Sequence, residues 1–123
     1  MKNIKICISC VNGFLTYDFI ESLKNQVDFN AKIIGIDISK RTKGKIICDK
    51  FYKVSDQKNE KKYINDIIKI YKREKFQIFF PLSDVENFVI LKNKRQLEKR
   101  KIRFKLPFND YKLANILYDK RKF

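Results

Sequence analysis

Apolar residues fall into two alternating patterns along this chain. Lys2 to Ser9 is an Ile-rich run without helical spacing, and it predicts a buried first strand. Leu15, Phe19, Ile20, Leu23 and Val27 then recur three and four apart among Glu21, Lys24, Asn25 and Gln26, the stripe of an amphipathic helix. Ala31 to Ile38 is a second continuous apolar strand. It is followed by a basic loop from Lys40 to Lys45 and a short third strand, Phe51 to Val54. Tyr63, Ile64, Ile67, Ile68 and Tyr71 form the next helical stripe. Gln77 to Pro81 reads as a fourth strand, and Asp84 to Arg100 as a helix with Val85, Phe88, Val89 and Leu97 inward. Lys101 to Leu106 is a shorter fifth strand. Asn109 or Asp110 would cap a last helix holding Leu113, Ile116 and Leu117.

Strands that are apolar throughout, alternating with helices, signify a parallel sheet covered on both faces. The predicted fold class is therefore α/β, a three-layer α/β/α Rossmann-like sheet. Right-handed crossovers give the strand order 3-2-1-4-5 most simply. The order reverses between strands one and four. Their carboxyl ends carry Cys10-Val11-Asn12-Gly13 and Pro81-Leu82-Ser83-Asp84, and Asp37 ends strand two beside them. These segments should line one crevice, the place where open α/β sheets hold ligands.

Composition changes this picture little. The 123 residues are 44% hydrophobic, enough for one domain with a real core. Lys and Arg number 29 against 14 acids, a formal charge of +15. Such an excess raises nucleic acid as a partner. The chain is equally biased toward Ile, Asn, Phe and Tyr and away from Ala, Pro and Trp, however, as an AT-rich genome would make any protein. The dense run from Lys92 to Lys105 reads as the solvated face of a helix and its exit. The charge therefore lends only weak support to a nucleic-acid partner. No apolar run approaches the ~18 residues of a membrane span, and Met1 to Ile6 leads into a strand and not into a signal peptide. A cytoplasmic location without membrane attachment is the expectation.

Candidate chemistry narrows by elimination. Cys7 and Cys10 form a C-x-x-C spacing, but Cys7 lies inside a strand, where residues three apart face opposite ways. A small buried hydrophobe is the better reading of it, and no metal site is expected. The chain has no histidine, which removes a Ser-His-Asp triad for Ser9 or Ser83. Gly-Lys-Ser and Gly-Lys-Thr are absent, so there is no P-loop. The turn after strand one has one glycine, Gly13, followed by bulky Phe14 and Leu15. That disfavours the close backbone approach a dinucleotide needs, although Asp37 is placed for a ribose contact. Asp84 and Glu86 start a helix, where backbone N–H groups favour acids. Two residues apart, they diverge by about 200°, so each would act singly on a substrate hydroxyl, an ammonium group or a neighbouring domain. Both are expected to be exposed helix-start acids.

Five motifs in order carry a resemblance. Ile33-Ile34-Gly35-Ile36-Asp37 is followed by Cys48-Asp49-Lys50-Phe51-Tyr52-Lys53-Val54 and then by Tyr63-Ile64 with Ile67-Ile68. Next come Phe79-Phe80-Pro81-Leu82-Ser83-Asp84-Val85-Glu86 and, last, Asp119-Lys120. The series resembles the N-terminal (pre-ATP-grasp) domain of ATP-grasp ligases similar to the large subunit of carbamoyl phosphate synthase. The family's Gly-rich first turn is reduced here to Asn12-Gly13.

The resemblance implies a pre-ATP-grasp domain over residues 1–118 and the start of a missing ATP-grasp domain over 119–123. The whole protein would be an ATP-dependent carboxylate ligase using ATP and magnesium. This chain would hold no cofactor and would not be catalytic alone. It would form one wall of a small-molecule substrate cleft, with Asn12 and Gly13 contributing by backbone and Asp37, Ser83, Asp84 and Glu86 by side chain. Its partner would be the missing C-terminal domain or a split subunit. Two alternatives stay open: a free-standing Rossmann-like module for a nucleotide or phosphometabolite, and a basic nucleic-acid-associated domain.

Overall fold

β1 (Lys2–Ile8) and β2 (Phe29–Asp37) form the centre of the sheet. In the computed structural model, which describes residues 2–9, 11, 14–39 and 43–106, the two run parallel, with Lys2 opposite Phe29 and Ile8 opposite Gly35. β3 (Lys50–Lys53) flanks β2, and β4 (Ile78–Phe80) flanks β1, both in parallel. The strand order is β3-β2-β1-β4. Parallel neighbours need crossovers. These are α1 (Phe14–Lys24), a 3-10 helix (Lys43–Ile47) and α2 (Glu60–Glu74). α3 (Asp84–Lys92) and α4 (Lys94–Lys99) follow β4. The expected α/β Rossmann-like sheet is present, and the expected order holds through its first four strands.

The continuous apolar runs are explained by burial on both faces. Successive side chains of a strand point opposite ways. Cys7, Ile34, Ile36 and Phe79 meet Tyr63, Ile64, Ile67 and Ile68 of α2 and Val89 and Ile90 of α3 in one core. Ile6, Ile8, Ala31 and Ile33 meet Val11, from the turn after β1, and Ile20 of α1 in the other. Each such aliphatic side chain stabilises by about 1.5–3 kcal/mol when fully buried. Gly35 belongs to this packing. A Cβ built there would collide with Cys48 Sγ and lie 3.0 Å from Val11 Cγ1, so the packing of these two side chains against the strand favours glycine.

Several elements depart from expectation. The fifth strand shrinks to one parallel bridge, Ile78 opposite Lys105. Phe79 N–H donates to the Lys105 carbonyl and Lys105 N–H to the Gln77 carbonyl, both at 2.9 Å. The bridge lies outside β4, where strand five belongs. α1 ends at Lys24, so Val27 lies past its stripe and is 83% exposed. The helix expected over 84–100 breaks at Asn93, whose backbone sits at φ −100°, ψ 12°. The Asn93 amide donates back to the Val89 carbonyl at 2.8 Å and across to Glu60 at 2.9 Å, which holds the break. Part of the basic loop winds into the 3-10 helix. The last helix, Asp119-Lys120 and the boundary after residue 118 lie outside the described residues. No helix among the described residues is long and apolar enough to cross a membrane.

Candidate functional site

The ends of β1, β2 and β4 come level at Ile8, Gly35 and Phe80. Just past that line come Asp37 on β2 and Ser83, Asp84 and Glu86 after β4. Asp37 closes β2. Its carbonyl accepts Val54 N–H at 2.9 Å, and its Oδ1 accepts Ser39 N–H at 3.0 Å. Its carboxylate thus turns the chain at the carboxyl end of β2. Ser9 follows β1 and is fully buried. Ser9 N–H donates to the Phe80 carbonyl at 3.1 Å, and its Oγ accepts Leu82 N–H at 2.8 Å. One serine therefore ties the exit of β1 to the exit of β4.

The β4–α3 junction is built by capping. Ser83 sits in extended backbone at φ −129°, ψ 135°, and its Oγ accepts Glu86 N–H at 3.4 Å while its carbonyl accepts Asn87 N–H at 3.0 Å. Asp84, partly exposed, opens the first turn of α3. There the helix dipole favours its charge.

Glu86 corrects the expectation of an exposed acid. It is 5% exposed, and its Oε2 accepts the hydroxyl of fully buried Tyr63 at 2.5 Å. The reason is angular: Glu86 lies three and four residues before Val89 and Ile90, on the face that α3 turns to the core. Asp84 and Glu86 thus diverge as the helix angle requires, one outward and one toward α2. Asn12 and Gly13 lie outside the described residues. Asp37, Ser83 and Asp84 thus lie at the carboxyl edge of the sheet, past β2 and β4 on either side of β1, and Glu86 is turned into the core.

Reasoning from the sequence missed Ser9, Tyr63 and Asn87 as parts of this region. The Asn87 side-chain carbonyl oxygen is buried without a hydrogen-bond partner. Ile38 and Leu82, 48% and 41% exposed, add an apolar rim just past the ends of β2 and β4. Tyr63 could have been found as the polar tip at the head of the α2 stripe. Nothing in the local pattern marks Ser9.

The thiols behave as core atoms. Burial raises Cys7 well above the ordinary thiol range, and the nearby charges of Glu86, Cys48 and Glu74 add to the shift. Burial also pushes Cys48 up to about 11, with Lys24 opposing and Asp49 adding. Asp49 itself has a ladder role. Its Oδ2 accepts Ile33 N–H at 2.7 Å, and it pairs with Lys24 at 3.5 Å. A cleft of about 530 Å³ between α2 and α3–α4 contains none of the predicted residues, and its acid, Glu60, is engaged by Lys92 and Asn93.

A family model described as "PylC-like, N-terminal domain" matches residues 8–105. The match runs from the end of β1 to the bridge residue outside β4 and includes every predicted site residue. No curated protein matches the sequence. Among solved structures, dTDP-glucose 4,6-dehydratase from Bacillus anthracis, determined in complex with NAD, is similar in fold at 16% identity and a TM-score of 0.57. The alignment covers 84% of this chain and 36% of that enzyme. The chain thus spans about a third of that enzyme's length, and the likeness is one of fold.

Proposed function

The chain belongs to the PylC-like N-terminal domain family, the pre-ATP-grasp domain of ATP-grasp ligases, and from that premise we propose that it forms the substrate-side wall of a carboxylate–amine ligase. The observation that carries the reading is the family match itself, which spans the whole carboxyl edge. The chemistry of that edge supports it. Asp37 and Asp84 offer acceptors for an ammonium or hydroxyl group. Ile38 and Leu82 offer apolar rim on which a following domain can seat. In such a ligase the carboxylate becomes an acyl phosphate, and the charge developing on phosphate is neutralised by magnesium and basic side chains. We assign those groups, and ATP, to the ATP-grasp domain that partners this one. The likeness to the large subunit of carbamoyl phosphate synthase is one form of this reading, with a cytoplasmic setting where ATP and the small-molecule substrate meet.

Calorimetric titration with Mg-ATP tests the division of labour. The chain alone should show no binding tighter than the millimolar range, and adding the cognate ATP-grasp domain should bring saturable heat. Micromolar Mg-ATP affinity for the 123-residue chain alone would overturn the assignment.

A further inference from the structure

At the opposite end of the sheet, where β1 and β4 begin, lies a groove of about 490 Å³. Its apolar wall comes from Ile4, Ile78 and Phe104, and its rim carries Lys2, Lys75, Arg103 and Lys105. The lining contains no acid. We infer that this groove is a docking surface for an acidic peptide segment that also carries apolar side chains, presented by a partner protein.

Three observations choose that occupant. The charge complement is the first: four cations border one concave surface with no carboxylate in its lining to offset them. This argues against a second copy of the chain, which would set like charges against like. The second is the state of the rings. Tyr71, Phe76 and Phe104 lie 5.3 to 6.1 Å apart and are spent on one another. Lys75 Nζ stands 5.5 Å over the Tyr71 ring, and the Tyr71 hydroxyl donates to the Arg103 carbonyl at 3.0 Å. Phe76 is 1% exposed. Bases of a single-stranded nucleic acid need open ring faces to stack on; here Phe76 is buried, and Tyr71 and Phe104, though partly exposed, are already packed against neighbouring rings. An apolar side chain needs only the wall. The third is the backbone that carries the rim. Lys75 caps α2 in the left-handed region at φ 57°, held by its N–H to the Tyr71 carbonyl at 2.7 Å. A lysine in that conformation, where glycine is preferred, fixes an ammonium at the groove at a local backbone cost.

The inference is independent of the ligase reading, since the groove lies at the other end of the sheet. It is tested by fluorescence anisotropy on the 123-residue chain. The probes are labelled peptides of about twelve residues, one alternating Glu with Leu and Phe and one alternating Glu with Ser, together with labelled oligothymidine of equal charge. The Glu–Leu/Phe peptide should bind about tenfold more tightly than the other two, and Arg103→Glu with Lys105→Glu should weaken it about tenfold, as reversing rim charges demands. Circular dichroism and the thermal midpoint check that the double variant is folded. A second variant, Lys2→Glu, is distant in sequence and should weaken the peptide in the same direction. Equal binding of both peptides would reduce the groove to a generic positive field and overturn the proposal. Tighter binding of oligothymidine, or no effect of the charge reversals in folded protein, would also overturn it.

Discussion

The two ends of this sheet use polar residues in opposite ways. At the carboxyl end the Ser, Asp and Glu of a functional-looking motif are largely drawn into the fold. Ser83 caps α3, Glu86 is buried against Tyr63, and Ser9 and Asp37 take backbone N–H groups. At the amino end Lys2, Lys75, Arg103 and Lys105, which belong to no motif, border an open groove. A motif therefore marks where a backbone must turn and stay rigid as readily as where a ligand binds. A site built at the carboxyl edge inherits that rigidity, while the amino end sets its side-chain charges around a groove.

The sharpest way to break this contrast is to add one methyl group at the carboxyl end. Gly35→Ala puts a Cβ into Cys48 Sγ, and overpacking of that kind costs about 1–3 kcal/mol. Urea denaturation should show that loss, and Cys48→Ala in the same chain should recover part of it. An unchanged midpoint would mean the carboxyl end is looser than its distances say. Next in size is the buried pair. Tyr63→Phe leaves the Glu86 carboxylate without its phenol donor, a cost of about 1–3 kcal/mol. Tyr63→Phe combined with Glu86→Leu should be less destabilised than Tyr63→Phe alone, because removing both partners leaves neither half of that bond unsatisfied. If the double variant shows the simple sum, the hydrogen bond carries no coupling and Glu86 is held by packing.

Alkaline titration gives a smaller, directional effect. The folded Cys48 thiol titrates at about 11 and the unfolded one near 9.0. Above about 9 the unfolded chain loses the proton first, so folding stability declines between about 9 and about 11 and is flat with respect to Cys48 below that window. Cys7 shifts the same way. Thermal midpoints measured across this window should fall, and the fall should be shallower in Cys48→Ala. Native-state alkylation near neutral pH should leave Cys7 unmodified until denaturant is added.

The strands were legible because burial on both faces leaves no polar position to interrupt Ile33 to Ile36, and the α2 stripe was legible because its spacing is regular. The break at Asn93 was not legible, since it rests on an amide reaching Glu60 from another helix and not on Gly or Pro. The 3-10 turn at Lys43–Ile47 was hidden by a composition that reads as loop. Strand-end logic put Asp37 at the close of β2 and Ser83 and Asp84 at the β4–α3 junction, which is where the elements end and begin. Glu86 was misjudged because it was read from the helix dipole alone. Its spacing to Val89 and Ile90 already put it on the core face, and the stronger constraint decided where it went. Ser9 owes its role to the strand beside it, which a one-dimensional pattern does not contain.

Asp84 is where a site residue and a cap can be told apart. As a partly exposed acid in the first turn of α3, it is worth about 0.3–1 kcal/mol to stability. Asp84→Ala should therefore move the unfolding midpoint only slightly. With the cognate ATP-grasp domain present, the same variant should lose substrate affinity or turnover well beyond that stability change. Activity and midpoint belong on the same preparation. Full activity with a lowered midpoint would make Asp84 a helix cap and move the substrate contact to Asp37 or elsewhere on the edge.

The smallest expected effect is also the cleanest test of the other end. If the groove's cations have no structural duty, Lys105→Gln should change stability by no more than about 0.5 kcal/mol, the range of surface substitutions away from special features. Its sign should be favourable or nil, because the substitution relieves repulsion among Lys2, Lys75 and Arg103. The Lys105 backbone bonds to Gln77 and Phe79 are untouched by a side-chain change. Added salt weakens repulsion between exposed charges, most of all beyond the screening length of about 10 Å at 0.1 M. Wild-type stability should therefore rise slightly with salt, and the Lys105→Gln chain should rise less. A destabilised variant, or one whose salt response matches wild type, would show that the Lys105 side chain holds the β4 edge together and that the amino end is built as tightly as the carboxyl end.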